Sequence, residues 1–164
     1  MPDCMRMCCA IDYSEASRMA VKQASELARR LGAELTLVHV IEPVPPAVAT
    51  VLVKGEYLGE RAETEAERTL AAWRDEAEKH LLRPVVATLL AGDVPAEIVR
   101  YAQEESFDLL VVASHGRTGL KRLVLGSVAE SVARQAPCPV LITRRRETGE
   151  LDPNGEELTQ YRAM

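Results

Sequence analysis

The chain has 164 residues, of which 47% are hydrophobic and 27% are charged, a length and composition typical of one globular domain with one core. Its 20 lysines and arginines against 25 aspartates and glutamates give a net charge of −5, which argues against nucleic acid or an anionic membrane as partner. No apolar run reaches the roughly 20 residues of a membrane span, and the first residues lack the basic stretch and the apolar run typical of a secretory leader. We expect a single cytoplasmic domain.

The cysteines and histidines form no recognisable motif. None of the four cysteines belongs to a C-x-x-C pair, and the three histidines are far apart in the sequence, so the spacing of zinc sites and of thioredoxin-like proteins is absent. Cys8 and Cys9 lie in an apolar run, where a free cysteine most often behaves as a small buried side chain. A redox role is the alternative interpretation.

The first half of the chain predicts two strands, each followed by a helix. Residues 7–11 form a short apolar run that indicates a buried strand. Apolar residues then recur every three or four positions up to Leu31, between a capping residue at Ser14 and the helix-ending Gly32. A second strand is predicted at residues 35–41. Residues 43–59 give no clear assignment beyond a loop with a short helix, and residues 60–82 favour a long helix.

The second half continues this alternation. A third strand is predicted at residues 85–90, followed by a helix from Pro95 to about residue 105. The fourth strand covers residues 109–113, a helix follows at residues 127–135, and the last strand covers residues 140–143. Beyond Arg146 the composition becomes polar. We therefore predict one domain at residues 1–146 and a polar tail at residues 147–164.

Alternating strands and helices of this kind predict a parallel sheet covered by helices on both faces, connected by right-handed crossovers. In such open sheets, ligands bind at the carboxyl ends of the strands where the strand order reverses. The loops after Ile11, Ile41 and Ala113 are therefore the predicted location of a functional site.

One segment, residues 111–128, has the properties of a phosphate site. It runs from the end of a buried strand to the start of a helix, and its glycines Gly116 and Gly126 are separated by nine residues that include Arg117. Glycine lets backbone amides approach an anion, and a helix N-terminus attracts one. Alternatively, Ser127 to Glu130 is a capping box that needs no ligand, and the glycines serve turns. The pattern is neither a Walker motif nor a dinucleotide fingerprint.

Three groups of residues resemble the universal stress protein family. They are Asp12 after the first strand, Val38-His39-Val40 on the second, and Ala113-Ser114-His115-Gly116 with Gly126-Ser127. The resemblance covers about residues 5–145. It points to the ATP-binding branch, whose motif is G-x-x-G, nine residues, then G-S/T. Ala113 stands where that motif has its first glycine.

The resemblance implies a doubly wound, open, parallel five-stranded α/β sheet of order 3-2-1-4-5, of the adenine-nucleotide alpha-hydrolase-like type. It also implies which residues bind ATP, with or without Mg²⁺. No catalytic residue is predicted: the side chains of the neighbours Ser114 and His115 diverge on an extended strand end, and no G-x-S-x-G elbow is present, so His115 is interpreted as a hydrogen-bonding loop residue. The implied nucleoside contacts are Ala10, Ile11, Asp12, Val40, Val112 and Ala113. The implied phosphate contacts are Gly116, Gly126, Ser127 and Val128, and the positive charge of Arg117 makes it a further candidate for ATP binding. Asp12 has the alternative role of capping the helix that follows it.

The function implied is an ATP-binding regulator or sensor in a stress response. Two alternatives remain: a slow ATPase on the same site, and an interaction scaffold without nucleotide whose glycine loop is structural. Since fast hydrolysis needs a positioned base and a metal-binding carboxylate, and Asp12 is the obvious acidic candidate, we do not predict an efficient enzyme. The resemblance also implies a homodimer through the last strand, although Arg144 and the arginines that follow it could instead protect that edge.

Overall fold

The computed structural model describes residues 4–43, 45–50, 52–53, 56–114 and 125–144. Within these ranges the chain forms seven strands and five helices. They are β1 (Arg6–Ile11), α1 (Glu15–Leu31), β2 (Glu34–Ile41), α2 (Pro46–Ala49), β3 (Leu52–Val53), β4 (Glu56–Tyr57), α3 (Leu58–Leu81), β5 (Val86–Ala91), α4 (Val94–Glu104), β6 (Leu109–Ala113), α5 (Ser127–Gln135) and β7 (Val140–Thr143).

Five strands form one sheet in the order β5-β2-β1-β6-β7, and every neighbouring pair is parallel. Counted among themselves, these strands have the predicted order 3-2-1-4-5, and the doubly wound fold is confirmed. β1 is the central strand, and the order reverses between its two neighbours, β2 and β6. The antiparallel pair β3–β4 was not predicted, because two-residue strands carry no periodicity.

The helices divide between the two faces of the sheet, as right-handed crossovers require. One core packs α1 and α3 against residues such as Cys9, Leu37 and Val111. The other packs α4 and α5 against residues such as Cys8 and Val38. Neighbouring cysteines thus point to opposite faces. Both are fully buried, as their apolar context predicted.

Local signals fixed most helix boundaries. Ser14 is the N-cap of α1 and accepts a hydrogen bond from the amide of Ser17, while Gly32 ends the helix with a φ of 69°, a conformation that favours glycine. Asp93 caps α4 through the amide of Ala96. β6, α5 and β7 have the predicted bounds. β5 is shifted by one residue from its prediction. None of the described helices combines the length and the apolar character that a membrane crossing requires.

Candidate functional site

The carboxyl ends of β1 and β6 lie side by side, because Ala10 is paired with Val112 in the parallel ladder. Asp12 follows β1 directly, and Ser114 follows β6. The amide of Gly126 donates a hydrogen bond of 2.8 Å to the carbonyl of Ser114, which places the start of α5 at the end of β6. The structure therefore gathers most of the predicted site residues at one edge of the sheet. Gly116 and Arg117, also predicted, lie outside the described residues, as does His115.

An apolar floor lies on the α4–α5 side of this edge. Val40 and Val112 are buried there in one hydrophobic cluster, and Ala10 packs against this cluster. Ala10 is nevertheless only half-buried, although β1 has a strand on each side. The small methyl group leaves the middle of the sheet partly uncovered at the place where the order of the strands reverses. In open α/β sheets this is the position at which ligands bind.

The backbone of Val40 faces the end of β1. The amide of Gly92 donates to the carbonyl of Ile41 at 3.0 Å, so Ile41 directs its backbone groups towards β5. Since successive residues of a strand direct their backbone groups to opposite sides, those of Val40 point towards β1. The last residue pair between these strands is Ile11 with His39. Val40 thus lies one residue beyond the last residue pair, within the floor.

The carboxylate of Asp12 is held by the residues that begin α1. Its Oδ1 accepts hydrogen bonds from the amide of Ser14 at 3.1 Å and from the hydroxyl of Ser17 at 2.6 Å. The amide of Asp12 donates to the same hydroxyl at 3.0 Å. Asp12 supports the start of the helix, but Ser14 is the N-cap. This network fixes the direction of the carboxylate at the edge of the sheet.

The N-terminus of α5 corrects one interpretation of the sequence. The N-cap is Gly126, with φ −61° and ψ 146°, and Ser127 is the first residue of the helix, so the proposed capping box does not form. Gly126 has no side chain with which to cap the helix. The first amides of an α-helix have no partner within it, and the side chains of Ser127 and Val128 are exposed. This end of α5 therefore presents donors and a partial positive charge to the edge.

Two aromatic side chains, those of Tyr13 and His39, pack against each other beside the end of β1. Neither was predicted as a site residue. Tyr13 follows Asp12, and its ring lies 4.0 Å from that of His39 between centroids. His39 is buried, and its Nδ1 lies 2.8 Å from the carbonyl oxygen of Ile11, so this nitrogen must donate. A tyrosine after a strand carries no sequence signal of such a role.

The buried thiols beneath the site contribute no nucleophile. Burial raises the pKa of Cys9 to about 12, and burial is also the main reason that the pKa of Cys8 is raised. Such thiols remain protonated at neutral pH, which argues against the redox interpretation. Within the described ranges, no three side chains of histidine, cysteine, aspartate or glutamate are grouped so that they could hold a metal ion.

The fold and the position of this edge define the structural class of the protein. It is an open, doubly wound α/β protein whose loops lie together at the edge of the sheet where such proteins bind ligands. The profile of the Universal stress protein family matches residues 4–144. Among curated proteins, the chain is 34% identical to universal stress protein YxiE of Bacillus subtilis over 145 residues, covering 85% of this chain and 98% of that one. It is 33% identical to universal stress protein MJ0531 of Methanocaldococcus jannaschii over 135 residues, covering 82% and 78%. The chain belongs to the universal stress protein family.

Solved structures share the fold. Universal stress protein UspA from Lactobacillus plantarum superimposes with a TM-score of 0.74 at 24% identity, covering 85% of this chain and 97% of that one. A universal stress protein in complex with cAMP has a TM-score of 0.66, with 85% and 96% covered. The protein from Archaeoglobus fulgidus in complex with dAMP has a TM-score of 0.64, with 84% and 96% covered. Both of these are 24% identical to the chain.

Proposed function

We propose that the protein binds ATP at the carboxyl edge between β1 and β6 and acts as a nucleotide-dependent regulator or sensor in a stress response. The observation that carries the proposal is the position of the α5 N-terminus. It has no side-chain cap at Gly126, and a hydrogen bond to Ser114 holds it at the end of β6. An apolar floor and a set of amide donors thus lie at one edge, which suits a base and a phosphate chain, respectively.

The contacts divide between the two ends of the nucleotide. Adenine would lie against Ala10 and Val112, with the backbone of Val40 at its polar edge. The carboxylate of Asp12, already fixed by Ser17, would accept a hydrogen bond from the ribose. The phosphates would meet the amides of Ser127 and Val128. Any Mg²⁺ would accompany the nucleotide, since phosphate oxygens are the hard ligands that this cation prefers.

Two comparisons support the nucleotide class. The same fold holds cAMP in one universal stress protein and dAMP in another. Both ligands contain adenine and a phosphate, and the two halves of this edge suit those two groups. We propose binding rather than rapid turnover because Asp12, the acidic residue at this edge, is assigned to the ribose, whereas a general base must lie within reach of the attacking water.

We also propose that two copies pair along β7. This strand has a partner only on the β6 side within the described sheet. The carbonyls of Pro139 and Thr143 accept hydrogen bonds from Leu110 of β6 and from Ser114, which follows it. The backbone groups of the alternate residues Val140 and Ile142 therefore point away from the sheet. An edge of this kind tends to bind another strand, and two-fold antiparallel pairing is the closed solution.

Calorimetric titration of the protein with ATP and with adenosine tests the nucleotide proposal. Ala10→Leu, which fills the floor, should weaken the binding of both ligands by at least about tenfold. The matched control is Ala91→Leu, the same change at the exposed end of β5, and it should bind as the wild type does. An absence of measurable heat with millimolar ATP would instead favour the nucleotide-free scaffold, and release of ADP over many turnovers would favour the ATPase.

A further inference from the structure

Tyr13 adopts an unusual backbone conformation next to the proposed site. Its φ is 63°, in the left-handed region that a bulky residue rarely occupies. Such a conformation persists only where the surroundings hold it, and it is found most often at functional positions. Tyr13 lies between Asp12, which belongs to the proposed nucleotide site, and Ser14, which caps α1.

The side chain of Tyr13 explains how this conformation is held. Its ring lies 4.0 Å from the ring of His39 and 5.6 Å from that of Trp73, measured between centroids. Its hydroxyl donates a hydrogen bond of 3.0 Å to the carbonyl of Ala66 on α3. His39 in turn donates to the carbonyl of Ile11, the last residue of β1. We call Tyr13, His39 and Trp73 the aromatic clamp.

The aromatic clamp is anchored in the body of the protein. Trp73 is buried, and the guanidinium of Arg18 on α1 lies 4.9 Å from the centre of its ring. Arg18 also pairs with Glu76, one turn further along α3. Residues 60–65 of α3 are all exposed, whereas Ala66 is buried. The hydroxyl of Tyr13 therefore contacts α3 at the point where that helix reaches the core.

We propose that Tyr13 is a positioning residue of the adenine-nucleotide site and couples that site to α3. By fixing the loop after β1 against His39 and α3, it holds the backbone of Ile11 and the carboxylate of Asp12 in the geometry that the nucleoside meets. This inference rests on the proposed function. Ligand binding and clamp formation then favour the same loop conformation, so each strengthens the other.

The test measures ATP affinity by calorimetry in variants that separate the ring from the backbone. Tyr13→Gly accepts the left-handed conformation but removes the clamp, and its dissociation constant should rise about tenfold because the loop must be ordered on binding. Tyr13→Asn, a second ringless residue that tolerates this conformation, should show the same loss, and it keeps the test open if the glycine variant fails to fold. Tyr13→Phe keeps the ring and should stay within about threefold of the wild type.

The matched control removes a comparable tyrosine from the other face of the sheet. Tyr101 packs against Phe107 at 5.5 Å between centroids, and its hydroxyl lies 2.9 Å from that of Thr88. Tyr101→Ala should lower the melting temperature yet leave the affinity for ATP unchanged. If Tyr13 has only a structural role, its ringless variants should behave as Tyr101→Ala does, with a lower melting temperature and an unchanged affinity for ATP.

The single tryptophan of the chain gives a second readout, since Trp73 belongs to the clamp. Saturating ATP should change Trp73 fluorescence in the wild type and in Tyr13→Phe, but not in Tyr13→Gly at a concentration that saturates this variant. Wild-type affinity in both ringless variants overturns the inference while the proposed function stands. A wild type that binds no ATP by calorimetry overturns the proposed function, and the inference with it.

Discussion

Replacing Gly126 by aspartate should stabilise the fold and weaken ATP binding at the same time. Gly126 has φ −61° and ψ 146°, which any residue can adopt, so the new side chain introduces no backbone strain. Its carboxylate would accept hydrogen bonds from the first amides of α5, and its charge would interact favourably with the helix dipole. Together these effects are worth about 0.5–1 kcal/mol, a rise of about 1–4 °C in melting temperature for a domain of this size.

The effect on ATP has the opposite sign. In the wild type, ATP at 100 times its dissociation constant adds about 2.7 kcal/mol to the free energy of unfolding, a rise of roughly 5–11 °C. In Gly126→Asp the carboxylate occupies the same amides and repels the phosphates, so we expect a shift below about 2 °C at the same ATP concentration. Adenosine, which lacks phosphates, should raise the melting temperatures of the wild type and of Gly126→Asp by the same amount.

Differential scanning fluorimetry with and without each ligand makes this comparison within each variant. Gly126→Asn is the matched control, because asparagine caps the helix without the charge and should retain an intermediate ATP shift. A wild-type ATP shift in Gly126→Asp would refute the placement of the phosphates at α5. Equal loss of the adenosine shift would also count against it, since the nucleoside is assigned to the other end of the site.

Two further predictions concern the edge strand and the buried thiols. Ile142→Pro removes an amide that points away from the sheet and should convert a dimer to a monomer in light scattering; Ile142→Val keeps this amide and should remain dimeric, and a wild-type monomer at micromolar concentration would contradict the pairing. Because burial holds the pKa of Cys9 at about 12 against an ordinary value of 9.0, the unfolded chain binds fewer protons than the folded one above pH 9. The free energy of unfolding should therefore fall as pH rises from 9 towards 12, by about 1.4 kcal/mol per pH unit for this thiol. In Cys9→Ala the free energy of unfolding, measured by urea titration at several pH values, should fall less steeply with pH, by the same amount per pH unit. An unchanged pH dependence would mean that the thiol is not buried as described.

The sequence was sufficient to locate the helices and strands of the main sheet, because its signals are local and agree with one another. A cap at Ser14, a glycine at position 32 and the prolines on either side of Cys138 mark where elements begin and end. Right-handed crossovers then assign each helix to a face of the sheet. The strand order came from the family resemblance, and the ladders of β1 with β2 and β6 confirm it.

The candidate site was only partly predictable. The predicted parallel sheet placed Asp12, Ala113 and Gly126 at the same edge, because parallel strands have their carboxyl ends on one side of the sheet. The sequence predicted the bounds of α5 at residues 127–135, but it could not decide between a capping box at Ser127 and a glycine N-cap at Gly126, since the two alternatives differ by one residue. It also gave no sign of Tyr13, whose left-handed backbone depends on rings contributed by β2 and α3. Contacts between distant segments of this kind leave no local pattern.

Amide chemical shifts of the ¹⁵N-labelled protein, recorded during titration with ATP and Mg²⁺, test the nucleotide site most directly. Our account predicts that the largest changes fall on Asp12, Val40, Ser127 and Val128, which lie on three different segments and meet only at the carboxyl edge. Residues at the opposite edge, such as Arg6 and Glu105, should not move. Unchanged spectra at millimolar ATP, or changes centred on that opposite edge, would contradict the account.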